Sequence, residues 1–330
     1  MDQLPAFGRG IEEVVLPTFA AYEGLLRARE AEIRGARRET HRYGPDARHV
    51  LDVYLPSASS PPSGEGERRT TVLMFLHGGG FHSGGRVNEA YAGGLVLGNV
   101  GAFFAARGVA VVVPDYRLLA HGARYPSGGE DVALAVAWVR DELAASLSSA
   151  RGGGVVDLVL LGNSAGGVHV ATFLLDPAFG AAVTEAAAAA AGPSPPGDGG
   201  VRLRLAGAVF LGTPFHFGDV DDEAINAYLG AAAVSENAPL GRLRAAIRRG
   251  AQLPRIRMLA LVSELDPPLL AETAAEFGRE WPAGEGASFE VRVLEGHNHI
   301  SPQLSLGTGI EREEAWGVQV AEFLRSCASG

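Results

Sequence analysis

Six runs of largely apolar residues recur along the chain, most of them ending in or beside glycine. They are VLMFLH (Val72–His77), VAVVVPDY (Val109–Tyr116), VDLVLLGN (Val156–Asn163), LAGAVFLG (Leu205–Gly212), RMLALVSE (Arg257–Glu264) and FEVRVLEG (Phe289–Gly296). Between and after them, the residue pattern predicts helices near Asn88–Arg107, Glu130–Ser148, Ala165–Leu175, Pro268–Trp281 and Glu311–Ser326. A strand that is apolar at successive positions must be buried on both faces, which requires helices above and below the sheet. The alternation therefore predicts a three-layer α/β fold, with a mostly parallel central sheet of about eight strands. Two shorter runs, around Thr40–Tyr43 and His49–Leu55, would add antiparallel strands at one edge. The first 35 residues read as a helix of mixed polarity.

Three stretches depart from this rhythm. The spacer SASSPPSGEGERR, Ser57–Arg69, suits an exposed hairpin loop. Ala181–Gly200 is low in complexity and reads as a helix extension followed by a surface loop. Asp221–Gly250 is helical, lies between two sheet strands and is too long for a simple crossover. Residues 1–35 and 221–250 are therefore candidate elements of a small helical cap on one domain spanning 1–330. Ala224, Ile225, Tyr228 and Leu229 recur at helical spacing and would present one apolar face, roofing a pocket or packing on the body.

Composition narrows the classes. With 47% hydrophobic and 20% charged residues, 330 residues can fill a sizeable core. A formal net charge of −10 argues against a nucleic-acid surface and would mildly repel anionic substrates. The single cysteine, Cys327, excludes a disulfide within the chain and a metal cluster built on thiolates. There is no basic segment followed by an apolar run at the start, and no apolar stretch of about 18 residues, so neither secretion nor a membrane span is expected. The expected compartment is the cytosol, and a second copy of the chain is a candidate partner.

The strongest local signal is Gly162-Asn163-Ser164-Ala165-Gly166-Gly167, set between an apolar strand and an apolar helix. That context suits a nucleophile elbow, in which Ser164 is lifted above the sheet edge at a helix N-terminus. A helix-capping serine is the plainer alternative. The second signal is His77-Gly78-Gly79-Gly80-Phe81, directly after a strand. Its glycines leave backbone N–H groups unobstructed, and acyl transfer needs such donors aimed at an oxyanion. The amides of Gly79, Gly80 and Ala165 are the expected donors, and His77 is expected to anchor the loop. A serine nucleophile needs a base, and the base needs an orienting carboxylate. Asp266 lies just beyond the strand RMLALVSE, with Glu264 as its rival and a helix N-cap as its plainer reading. His297 and His299 follow the last sheet strand and compete for the base.

These residues resemble the hormone-sensitive-lipase and kynurenine-formamidase branches of the α/β-hydrolase superfamily. HGGGF and GNSAGG are similar to the lipase-like branch, as are Asp115-Tyr116-Arg117-Leu118, Tyr125-Pro126 and Glu130-Asp131. Tyr43-Gly44 and Leu51-Asp52-Val53-Tyr54-Leu55-Pro56 resemble the formamidase-like and small carboxylesterase group. In that group the base sits in a pattern such as D-H-F, which matches Asn298-His299-Ile300, so the resemblance implies His299. Formamidases usually carry H-G-G-x-W, whereas this chain has Phe81 there, which favours a carboxylic ester.

The resemblance covers about residues 40 to 325 and implies a carboxylesterase working without metal or cofactor on a small or medium ester. Arylformamidase action on N-formylkynurenine is the runner-up, and a non-hydrolytic biosynthetic step could use the same residues. Some proteins of this fold survive as receptors after losing the base or the acid, whereas here candidates for all three groups are present. The expected pocket lining comes from segments near Arg86–Tyr91, Pro214–Phe217 and Asp221–Gly250, with Phe81, Phe215 and Tyr228 as candidate substrate-binding side chains.

Overall fold

The computed structural model describes residues 1–57, 69–149, 154–188, 201–282, 284 and 286–328. Most of the expected hairpin loop Ser57–Arg69 and most of the surface loop ending at Gly200 lie outside the described residues.

Eight strands form one sheet: β1 (Arg38–Arg42), β2 (Val50–Tyr54), β3 (Arg69–Leu76), β4 (Ala110–Pro114), β5 (Gly154–Asn163), β6 (Val201–Leu211), β7 (Arg257–Ser263) and β8 (Ser288–Leu294). Their order is β1-β2-β4-β3-β5-β6-β7-β8. Strand β2 is antiparallel to both of its neighbours, and every pairing from β4 to β8 is parallel. The two early runs thus form the antiparallel edge that their position suggested.

Consecutive apolar residues do fill both faces. From β3, Val72, Met74 and Leu76 enter one core, while Leu73 and Phe75 enter the other. The first core is closed by residues such as Val132, Phe173, Leu243 and Phe277, from helices Ser127–Trp138, Ala165–Leu175, Pro239–Arg248 and Pro268–Glu280. The second is closed by Tyr22, Phe104 and Trp316, from helices Ile11–Ala28, Gly98–Ala105 and Glu311–Ala328. Strand β8 departs from this pattern. It is a half-exposed edge strand, because its residues alternate in polarity where those of β4 and β7 do not.

Two predicted helices change form. Only Gly98–Ala105 of the Asn88–Arg107 stretch is α-helical, because Gly93, Gly94 and Leu97 adopt positive φ and turn the chain upstream of it. The stretch Asp221–Gly250 divides into helices Glu223–Leu229, Val234–Asn237 and Pro239–Arg248. A third, smaller apolar cluster joins the first two of these to the top of the sheet, through Phe81, Ala165, Val168, Phe217, Tyr228 and Leu229. No single helix among the described residues is long and apolar enough to cross a membrane.

Candidate active site

The parallel strands β3, β5, β7 and β8 all deliver their C-terminal ends to one edge of the sheet, and each contributes a candidate group there. Strand β5 runs directly through Ser164 into the helix Ala165–Leu175. Ser164 has φ 51° and ψ −120°, a sparsely populated conformation that costs about 1–3 kcal/mol unless its surroundings enforce it. Its N–H donates to the carbonyl of Leu211 at 2.8 Å, and its own carbonyl accepts from Gly167 at 2.9 Å. A Cβ on Gly162 would strike the backbone of Gly167, and one on Gly166 would strike the carbonyls of Leu76 and His77. The flanking glycines are therefore required by the close approach of strand, turn and helix, not by local flexibility.

Asp266 and His299 meet Ser164 from the loops after β7 and β8. His299 Nδ1 lies 2.8 Å from Asp266 Oδ1, and His299 Nε2 lies 3.0 Å from Ser164 Oγ. Asp266 and His299 are 2% and 6% exposed, so water competes weakly for these contacts, whereas Ser164 remains partly open. The second oxygen of Asp266 accepts from the N–H of Ser263 at 2.8 Å, which fixes the carboxylate in rotation. With Nδ1 donating to Asp266, Nε2 is left to accept the serine proton.

The rivals are occupied elsewhere. Glu264 accepts from the N–H of Gly296 at 2.7 Å, tying the β7 loop to the β8 loop. The His297 ring contacts the Ser301 hydroxyl at 2.9 Å, and burial pushes its pKa down to about 4. Asn298, which the residue pattern did not single out, is fully buried. Its carbonyl oxygen accepts from the amides of Ile300 (3.1 Å) and Ser301 (3.0 Å), and its amide donates to Thr18 Oγ at 2.8 Å. It thereby holds the His299 loop against the N-terminal helix Ile11–Ala28. The available signal was a polar residue wedged between two buried histidines, three positions before a serine.

After β3, Gly79, Gly80 and Phe81 all take positive φ, at 129°, 57° and 68°. A Cβ on Gly79 would collide with the carbonyl of Ser83. Among the described residues no protein acceptor pairs with the amides of Gly79, Gly80 or Ala165. His77 does anchor this loop. Its Nδ1 contacts the carbonyl of Gly78 at 2.8 Å, and its ring stacks on Tyr116 at 4.2 Å. Tyr116 in turn donates its hydroxyl proton to the carbonyl of His77 at 2.6 Å. Burial pushes the His77 pKa down to about 4, so the ring is neutral near pH 7. The neighbouring Asp115 accepts from the N–H of Arg86 at 2.6 Å, and Arg117 donates to Asp131 at 2.8 Å. Tyr116 thus braces the start of the glycine loop, Asp115 the segment after it at Arg86, and Arg117 the helix Ser127–Trp138.

The candidate substrate-binding residues fare differently. Phe215 is 1% exposed and packs against Phe277 (4.5 Å) and Phe210 (5.2 Å), inside the core beneath helix Pro268–Glu280. It therefore cannot line an open pocket. Phe217, two residues on, enters the small cluster with Phe81 and Ala165 instead. Phe81 stacks on Tyr228 at 4.4 Å with an interplanar angle of 4°. Tyr228 is 1% exposed, and its hydroxyl sits between the N–H of Gly128 (3.0 Å) and His169 Nδ1 (3.2 Å).

A Tyr228→Ala change that spares stability, as a pure roof residue would allow, is thus ruled out. The expected cost is ~3–5 kcal/mol, read as a fall in urea midpoint at unchanged m. Tyr228→Phe should lose only ~1–2 kcal/mol, from its hydrogen bonds. The neighbouring Ile225 is only partly buried against the same cluster and is the residue of this stretch left as the candidate roof. Ile225→Ala should alter the kcat/KM ratio between short and long esters with little change in midpoint.

The model of the Alpha/beta hydrolase family matches residues 73–309, more than two thirds of the chain. Among solved structures, the apo form of Thermogutta terrifontis esterase 2 superposes with a TM-score of 0.57 at 21% identity, covering 88% of this chain and 96% of that one. Inhibited esterase B from Lactobacillus rhamnosis gives 0.59 at 15% identity, covering 95% and 96%. A strand–serine–helix turn, a carboxylate and an imidazole brought to it from loops after later strands and this match over most of its length agree: the chain belongs to the alpha/beta hydrolase family.

Proposed function

We infer that the protein is a serine carboxylesterase of the lipase-like branch, acting on small or medium acyl esters through an acyl-enzyme. The observation that carries this reading is the unbroken run of contacts Asp266–His299–Ser164, at 2.8 and 3.0 Å. Ser164 Oγ attacks the ester carbonyl while His299 Nε2 takes its proton, and Asp266 holds the ring and balances the imidazolium. The carbonyl oxygen becomes an oxyanion facing the amides of Gly79, Gly80 and Ala165, each worth ~3–4 kcal/mol in such a site. His299 then protonates the departing alcohol. Water, activated by the same imidazole, releases the acid and restores Ser164.

In this reading residues 1–330 act as one domain, with Glu223–Leu229 and the N-terminal helix as cap elements over the site. A short acyl chain is supported by Phe81 and Phe217, which fill space beside Ala165. Thermogutta terrifontis esterase 2 has been solved bound to propionate and to butyrate, which suggests these acyl lengths as probes. Short p-nitrophenyl esters should be cleaved with a higher kcat/KM than N-formylkynurenine, since Phe81 stands where formamidases place tryptophan. A large preference for the formamide would overturn the ester assignment and leave the serine mechanism in place.

A further inference from the structure

We propose that His169 is a positioning residue for the glycine loop His77–Phe81. By accepting the Tyr228 hydroxyl proton it holds the Tyr228 ring against Phe81, and so keeps the amides of Gly79 and Gly80 in register with that of Ala165. The inference rests on the reading of Ser164 as a nucleophile whose tetrahedral intermediate those three amides face. Two of them belong to the loop after β3, and the third to the helix Ala165–Leu175 that follows β5. The loop must therefore be fixed relative to that helix. His169 stands on the helix, buried, and touches the groups that hold both ends of the loop. Tyr116, whose hydroxyl holds the carbonyl of His77 at the start of the loop, lies 4.6 Å from the His169 ring. At the other end Phe81 lies 5.6 Å from that ring, and Tyr228, stacked on Phe81, lies 5.1 Å from it.

The end at Phe81 needs the stronger hold. Its φ of 68° is a conformation that a bulky residue keeps only where its surroundings enforce it. Its carbonyl accepts from the N–H of Leu119 at 2.9 Å, and the Tyr228 ring covers its face. The Tyr228 hydroxyl accepts from the N–H of Gly128 at 3.0 Å, which leaves its own proton for His169 Nδ1 at 3.2 Å. Burial pushes the His169 pKa down to about 3, so the ring is neutral and Nδ1 offers a lone pair. The ring proton then sits on Nε2, which has no hydrogen-bond partner among the described residues. A phenylalanine would fill similar space without a buried, unpaired N–H, so packing alone does not account for an imidazole here. The bond at Nδ1 does. Gly128 is part of the same arrangement, since a Cβ there would strike His169 Nδ1.

The test separates this bond from packing. His169→Phe keeps a ring in place and removes the acceptor. It should lower kcat for p-nitrophenyl butyrate ~10–100-fold, with KM within about twofold of wild type, because the donors are displaced and not lost. The inhibition constant of a short-chain trifluoromethyl ketone, which forms a tetrahedral adduct, should rise by a similar factor. His169→Asn restores a side-chain carbonyl near Nδ1 but leaves a cavity, so it should recover most of kcat while its urea midpoint falls. Tyr228→Phe removes the donor of the same bond and should reproduce the loss of kcat, whether or not His169→Phe folds. Combining the two should cost little beyond the larger single change. Ser164→Ala, measured alongside, keeps two questions apart. Turnover that survives it withdraws the nucleophile and this proposal together. Ser164-dependent turnover that is unchanged in folded His169→Phe or Tyr228→Phe overturns the proposal alone. So does an asparagine variant as slow as the phenylalanine one, or a ketone bound as tightly as by wild type.

Discussion

Replacing Ser164 by alanine should lower kcat for a short ester by about 10⁶, leaving only the residual rate that binding and the backbone donors supply. The size of the effect follows from the contact chain. Without Oγ, His299 Nε2 has no proton to take, and Asp266 orients a base with no substrate. The fold should persist, because a single hydroxyl leaves a partly exposed turn whose backbone is held by Leu211 and Gly167. Residues that act as a unit fail together, so adding His299→Ala to Ser164→Ala should cost little beyond the serine change alone. A fluorophosphonate probe should label the wild-type chain and miss the variant. Substantial esterase activity in a well-folded Ser164→Ala protein would withdraw the nucleophile assignment.

His299→Ala should be nearly as damaging as the loss of the serine, while His297→Ala should leave kcat within about tenfold of wild type. The two histidines stand two residues apart yet differ in partner. One bridges Asp266 and Ser164, and the other contacts Ser301 behind the loop. The second difference is in titration. Burial pushes His297 and His77 down to about 4 and His169 down to about 3, whereas an unfolded histidine titrates near 6.5. Between these values the unfolded chain binds more protons than the folded one, so stability must fall as pH drops from about 6.5 toward 4. His297→Asn should flatten part of that fall, read from urea midpoints at pH 7 and pH 5, without abolishing ester hydrolysis. If His297 proves critical and His299 dispensable, the base role belongs to His297.

Much of this architecture is written locally. A run such as LVLL, Leu158–Leu161, has no polar face to offer solvent, so its strand can only lie inside a sheet covered on both sides, and its residues enter the two cores alternately. Gly162 and Gly166 around Ser164 and Gly79 after His77 are equally legible, since a Cβ on each would strike backbone atoms. Where a pattern was broken by local chemistry, as at Gly93 and Gly94, helical periodicity alone overstated the helix.

The choice of partners was not written locally. Asp266 and Glu264 lie two positions apart after the same strand, as do His297 and His299 after another, and propensity treats the members of each pair alike. What separates them is the direction in which each side chain leaves its loop, which is set by contacts from distant parts of the chain. Asn298 reaches 280 positions back to Thr18 and turns the loop so that His299 faces the serine. The aromatic residues teach the same lesson. Phe215 and Phe217 differ by one alternation, so one enters the core under helix Pro268–Glu280 and the other the cluster beside Ala165. The chain's apolar rhythm and its glycines thus determined the sheet, the tight turn at Ser164 and the glycine loop after β3. Only the packing of separate loops onto one another decided which carboxylate and which imidazole reach Ser164 and which aromatic ring lies in the cluster with Ala165, because side-chain direction in a loop depends on tertiary contacts rather than on the loop's own residues.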